Sequence, residues 1–158
     1  MFGLIPQASY SPVAIRDIVL AQHRELERLL RECSQAAAAE AENSFDRAEN
    51  LVRLAQELYG RFENHLRFEE RFLFPVLRNA DVWGDERVAN LTHEHAEQRR
   101  DLELFIDLVD SACPLGELRQ ALATLSTILL ADIAAEEDTY LDIALCEETA
   151  SHGERLAG

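Results

Sequence analysis

Apolar residues recur every three or four positions through four long segments of this chain, and very little in the sequence breaks them. That period belongs to one face of an α-helix. With only 6 Gly and 4 Pro in 158 residues, there are few places where a helix must stop. The first segment opens at Ser11-Pro12, where Ser suits the cap and Pro the first helical position. It runs through Ile15, Ile18, Val19, Leu26, Leu29 and Leu30 and fades in the alanine-rich QAAAAEAENS. The second starts around Asn43-Ser44 and carries Leu51, Leu58, Phe62, Phe72 and Val76, with Pro75 expected to kink its last turn before Asn79. After the linker NADVWGD, the third is expected to start with Asp85 as cap and to run through Val88, Leu102, Phe105, Ile106 and Val109 to Cys113-Pro114. The fourth carries Leu118, Leu122, Leu125, Leu129 and Ile143 from near Leu115 to about Glu147, before the polar tail ETASHGERLAG.

Four long amphipathic helices with short connections predict an all-α fold, an antiparallel up-down-up-down four-helix bundle. A chain of 158 residues bounds one domain, expected over 1–158 with its core at about 12–147 and a tail at 148–158. Acids outnumber bases 30 to 15, and a formal charge of −15 disfavours nucleic acid and anionic membrane surfaces while attracting cations. Cys33, Cys113 and Cys146 are widely spaced without a C-x-x-C pair, so they indicate neither a disulfide framework nor a thiolate zinc site. The N-terminal MFGLIPQASYSP lacks a basic region, and no run of 18 apolar residues occurs, so the expected setting is cytoplasmic and not membrane-spanning.

Each apolar stripe is interrupted by polar residues. In the second helix the row reads Leu58, Phe62, His65, Glu69, Phe72, Val76, which turns His65 and Glu69 toward the core. The first gives Val19, His23, Leu26, Leu30, the third Val88, His95, Leu102, Val109, and the fourth Leu122, Leu125, Leu129, Asp132, Glu136, Tyr140, Ile143. At a rise of about 1.5 Å per residue, all six polar residues fall about 15 Å from the same end of the bundle. Buried carboxylates need positive compensation, and no Arg stands on these rows nearby to provide it. His23, His65, Glu69, His95, Asp132 and Glu136 are therefore expected to be metal ligands. Glu69 and Glu136 are the natural bridges between two ions. Three imidazoles and three carboxylates suit iron or manganese best and admit zinc.

The stretches QHRELERLL (22 to 30), HLRFEERFLFP (65 to 75), EHAEQR (94 to 99) and DIAAEEDTYL (132 to 141) resemble the hemerythrin-like (HHE cation-binding) family. The resemblance covers nearly the whole chain and implies a four-helix bundle with a non-haem di-iron site. By that analogy His23 and His65 serve one iron, His95 and Asp132 the other, and Glu69 and Glu136 bridge. The family's fourth-helix histidine is Asp132 here, and neither Leu91 nor Arg99 supplies the second third-helix histidine of dioxygen carriers. A set poorer in imidazole weakens the case for reversible dioxygen storage and leaves open reaction with dioxygen, nitric oxide or peroxide, iron sensing, iron handling, manganese or a mononuclear site.

Other residues carry blander readings. His93 lies about 200° round the helix from His95 and is expected in solvent, as is His152. Glu70, Glu94, Glu97 and Glu137 point off the stripes, as solvated acids or arginine partners. Glu27 is a spare ligand at best, Tyr140 a hydrogen-bonding or packing neighbour, Trp83 a loop anchor, and the cysteines small hydrophobes. The leading expectation is a metal-binding and oxygen-binding protein more than a dedicated enzyme. The alternatives are a helical interaction or scaffold protein with a degenerate metal site, and an oxidase or iron–sulfur repair enzyme on the same bundle.

Overall fold

Where each helix starts and stops follows from which backbone groups find partners. The computed structural model describes residues 10–40 and 49–155, with side chains as far as Asp142. Helix α1 spans Pro12–Ala39: Ser11 Oγ accepts the Ala14 N–H, and Pro12 stands in the first turn, where no N–H is needed. The last turn of α1 contains no basic residue of its own. Arg119 reaches across to cap it, donating to the carbonyls of Ala37, Ala38 and Glu40 at 3.0–3.2 Å.

Helix α2 spans Glu49–Phe68, so the cap expected at Asn43-Ser44 lies outside the described residues. The interruption expected at Pro75 takes a different form. A five-residue π turn, Glu69–Leu73, precedes the short helix α3, Phe74–Ala80. Pro75 has no N–H and its ring crowds the carbonyl four residues back, so the ladder widens ahead of it and the Phe74 N–H bonds to Glu69 O, five residues back. The extra residue turns the stripe: beyond Glu69 the buried positions are Leu73, Phe74 and Leu77, while Phe72 and Val76, expected inside, are half-buried.

Helix α4 spans Gly84–Asp110 and α5 spans Leu115–Arg155. Asp85 is not the cap of α4; it is exposed and pairs with Arg78 at 3.1 Å. Asp81 organises this turn instead, accepting the Trp83 N–H at 2.8 Å and both arms of the Arg87 guanidinium. The Trp83 side chain is 61% exposed. Helix α5 continues past Glu147 to Arg155, because the expected tail contains no proline to stop it.

Gly84 marks a close approach. A Cβ there would collide with the Arg78 carbonyl oxygen and sit 2.6 Å from that of Leu77. Gly84→Ala is therefore expected to cost about 1–3 kcal/mol. Gly60, inside α2 with nothing within 4 Å of its would-be Cβ, is the converse; Gly60→Ala should gain about 0.5–1 kcal/mol from helix propensity. Urea midpoints of the two variants check this, and a shift of the same sign in both would contradict it.

Helix α1 packs on α2 and α5, and α4 packs on the same two. No strand occurs among the described residues. Two apolar clusters form the core. The larger includes Leu26, Leu30, Leu58, Phe62, Leu66, Leu102, Phe105 and Leu129, and the smaller is Ile15, Val19, Leu73, Phe74, Leu77, Val88, Leu91 and Leu141. On each of α1, α4 and α5 the buried polar residues fall between one cluster and the other: His23 between Val19 and Leu26, His95 between Leu91 and Leu102, Glu136 between Ile133 and Leu141. Along the α2–π segment, His65 and Glu69 occupy the same interval, between Phe62 and Leu73. By length and composition, Leu115–Asp142 of α5 is apolar enough to cross a membrane. Its Leu118, Leu122, Leu125 and Leu129 are core residues of the bundle, and the same face carries Glu136 before Leu141. Cys33 is fully buried, with its thiol pushed up to about 12 by burial and by Glu32 and Glu57, which leaves it a small hydrophobe. The side chains of Ile143, Cys146 and His152 lie outside the described set.

Candidate metal centre

Glu69 lies at the middle of the polar belt, 0% exposed, at the first position of the π turn. Its Oε1 is 3.6 Å from His65 Nε2 and 4.0 Å from His23 Nε2, and its Oε2 is 3.3 Å from His95 Nε2. One carboxylate thus addresses imidazoles from three helices. Glu136 closes the ring from α5, with Oε2 3.3 Å from His23 Nε2. Ligand atoms of His23, His65, Glu69 and Glu136 all lie within 4.8 Å of one another, and all four residues are buried.

The outer nitrogens explain which way the inner ones face. His23 Nδ1 donates to Glu137 at 2.8 Å, His65 Nδ1 to the Gln22 side-chain oxygen at 3.0 Å, and His95 Nδ1 to Glu70 at 3.0 Å. Carboxylate and amide oxygens only accept, so each Nδ1 carries a proton, and in the neutral ring the lone pair sits on the inward-facing Nε2. Inside the ring, lone pairs then meet carboxylate oxygens. His23 Nε2, His95 Nε2 and both oxygens of Glu69 are buried without a hydrogen-bond partner. An array of acceptors facing acceptors is satisfied by a cation, and the donor set fits one.

Burial, then the charge of Glu136, pushes the Glu69 carboxyl up to about 7, against the pull of the His95 and His23 rings. Burial drives His65 well below the ordinary imidazole range, and the neighbouring His23 and His95 add to this, which keeps its ring neutral. Burial also lowers His23 and His95, but Glu136 and Glu137 raise the first, and Glu69 and Glu70 the second, by more. The carboxylates that would favour a proton on these rings would equally neutralise a metal ion.

The expected ligands are not all gathered equally. His95 meets the group through the second oxygen of Glu69. Asp132 is half-buried, and its Oδ2 accepts from Gln98 Nε2 at 3.0 Å. At this level of α5 the buried residue is Ile133, because positions three and four beyond Leu129 flank the same face. His93 is exposed, 3.6 Å from Glu97. Glu27 stays outside the group, and Tyr140 packs against the smaller apolar cluster.

Four residues of this shell do not stand out on the sequence stripes. Glu70 and Glu137, expected to point away, are each the second acid of an E-E doublet. The first acid faces inward and the second reaches a histidine on a neighbouring helix. Glu70 also accepts from Arg99 at 2.7 Å, so its expected arginine partnership holds too. Gln22 precedes His23 and serves His65. Gln98 is 3% exposed, and its heptad row Leu91, Gln98, Phe105 was the available signal.

The sequence model of the Hemerythrin HHE cation binding domain matches residues 14–144. The chain belongs to the hemerythrin HHE cation-binding domain family. No curated protein and no solved structure matched the chain. The HHE match runs from the first turn of α1 into α5 and takes in all six residues of the candidate centre. This HHE domain therefore carries a buried His/Glu cluster that could hold a metal ion.

Proposed function

We propose that this HHE domain is an antiparallel up-down-up-down bundle that binds two metal ions, iron in the first instance. The centre would bind or react with dioxygen, nitric oxide or peroxide, or sense and handle iron. The antiparallel course is supported by pairs at two levels: Arg119 meets the end of α1 while Glu137 meets His23, and Glu63 meets Arg99 while Glu70 meets His95. His23, His65, Glu69 and Glu136 would hold one ion, and Glu69, Glu136, His95 and Asp132 the other. The observation that carries this reading is the division of Glu69, one oxygen toward His23 and His65 and the other toward His95. When bound, an iron pair supplies redox chemistry toward small oxygen or nitrogen species.

The chain's own residues do the rest. Glu137, Gln22 and Glu70 hold the three rings in one tautomer and orientation. Arg99, bonded to both Glu70 and Glu63, ties the His95 partner to the surface of α2. The two apolar clusters exclude water from either side of the belt.

Metal content and the absorption spectrum of protein purified without chelator, followed by anaerobic Fe(II) addition, test the proposal. About two iron atoms per chain are expected, and none after Fe(II) addition would refute it. His65→Ala is expected to lose metal while His93→Ala keeps it; equal loss in both would refute the assignment of His65. The Gln98–Asp132 bond favours a second reading, a bundle whose metal site has degenerated into a structural polar pair. The same titration decides between the two.

A further inference from the structure

Gln98 stands three residues after His95 on α4, so the two side chains share a face. Its Nε2 donates to Asp132 Oδ2 at 3.0 Å. A carboxylate oxygen only accepts, so this bond settles which end of the amide faces Asp132. The other end, Oε1, is buried with no hydrogen-bond partner, in a side chain only 3% exposed. One turn along the same face, His95 Nε2 is also buried and unpartnered, facing Glu69 Oε2. Asp132 accepts from the other end of the amide, and among the described residues no donor reaches Oε1. A cation is the partner that an unpaired amide oxygen among acceptors lacks.

We propose that the two metal positions are chemically unlike and that Gln98 is a ligand of the second through Oε1. This rests on the two-ion reading above. The first position would combine two imidazoles with Glu69 and Glu136. The second would have one imidazole, His95, among the oxygens of Glu69, Glu136, Asp132 and Gln98. Imidazole suits iron and zinc, whereas carboxylate and carbonyl oxygen suit manganese and other hard ions. The second position therefore binds more weakly and discriminates less between Mn(II) and Fe(II) than the first. Loading the chain with both ions would fill it unevenly, with manganese collecting in the His95–Gln98 half.

Anaerobic calorimetric titration of the full chain with Mn(II) and with Fe(II) tests this, with circular dichroism confirming that each variant keeps the helical signal. The wild type should show two steps. Gln98→Leu should weaken the second by about 10–100-fold and spare the first, the range seen when groups around a metal are removed. Gln98→Glu keeps an oxygen donor but cannot donate to Asp132, and should retain the second step. Equal loss in both variants would make Gln98 a positioning residue for Asp132, and an unchanged second step in Gln98→Leu would make it a bystander; either overturns the proposal. If a variant fails to fold, pulsed paramagnetic resonance on wild-type protein carrying Mn(II) in the weaker position still decides. Coupling to one imidazole nitrogen is expected, and coupling to two overturns the proposal. A wild type that binds neither ion would instead overturn the two-ion reading itself.

Discussion

Glu69→Gln is expected to abolish tight metal binding at both positions while making the metal-free protein more stable. The carboxylate is fully buried, faces three imidazoles, and has neither oxygen hydrogen-bonded. Without a cation this arrangement is unfavourable: a buried polar group left unpaired costs about 1–3 kcal/mol, and a charged one more. An amide of the same shape removes the charge and can donate to an imidazole lone pair, so the variant should gain stability of that order when no metal is present. With metal the order reverses. Free ion at 100 times its dissociation constant stabilises the wild type by about 2.7 kcal/mol, roughly 5–10 °C in Tm for a chain of this size. The amide variant cannot bridge two ions and should gain little. Thermal unfolding of both proteins, each with and without anaerobic Fe(II), reads all four states. A metal-dependent gain in the Glu69→Gln protein equal to the wild type's would remove Glu69 from the centre.

Phe62→Ala should destabilise the protein by about 3–5 kcal/mol, the range for emptying a fully buried aromatic site. Phe62 is 1% exposed within the larger apolar cluster. Its ring stands edge-on to His65, with centroids 5.8 Å apart and an interplanar angle of 89°. Against a total stability of about 5–15 kcal/mol for a domain, that loss brings the variant near its unfolding threshold. The cavity would also release one wall of the His65 ring, so metal affinity should fall although no ligand atom is touched. Phe62→Leu, which keeps much of the fill, should cost less than half as much. Urea midpoints at constant slope measure the first effect, and the Fe(II) titration measures the second. Full stability in Phe62→Ala would mean that this end of the larger cluster is not close-packed.

Most of the helices were legible from periodicity because each long helix has one face in the core, and a helical face repeats at a fixed spacing. The same regularity set its limit. Beyond Glu69 the stripe passes to Leu73 and Leu77, one residue away from Phe72 and Val76, because the π turn adds a residue that no count of threes and fours contains. Asp132 illustrates a second limit. Positions 132 and 133 flank the α5 face almost equally, and it was packing that put Ile133 inside and left Asp132 half-buried against Gln98.

The sequence alone determined that this chain would be helical, that it belongs with the HHE domains, and that His23, His65, Glu69, His95 and Glu136 would be buried, since each property is written along one helix at a time. Only the tertiary structure decided which atoms of those residues face one another. The pairs His23–Glu137, His65–Gln22 and His95–Glu70 each join two elements, and Gln98 meets Asp132 only where α4 packs on α5. The physical reason is the directionality of a hydrogen bond. Burial is a property of a helix face, but the orientation of an imidazole lone pair depends on which acceptor the neighbouring helix brings to the opposite nitrogen.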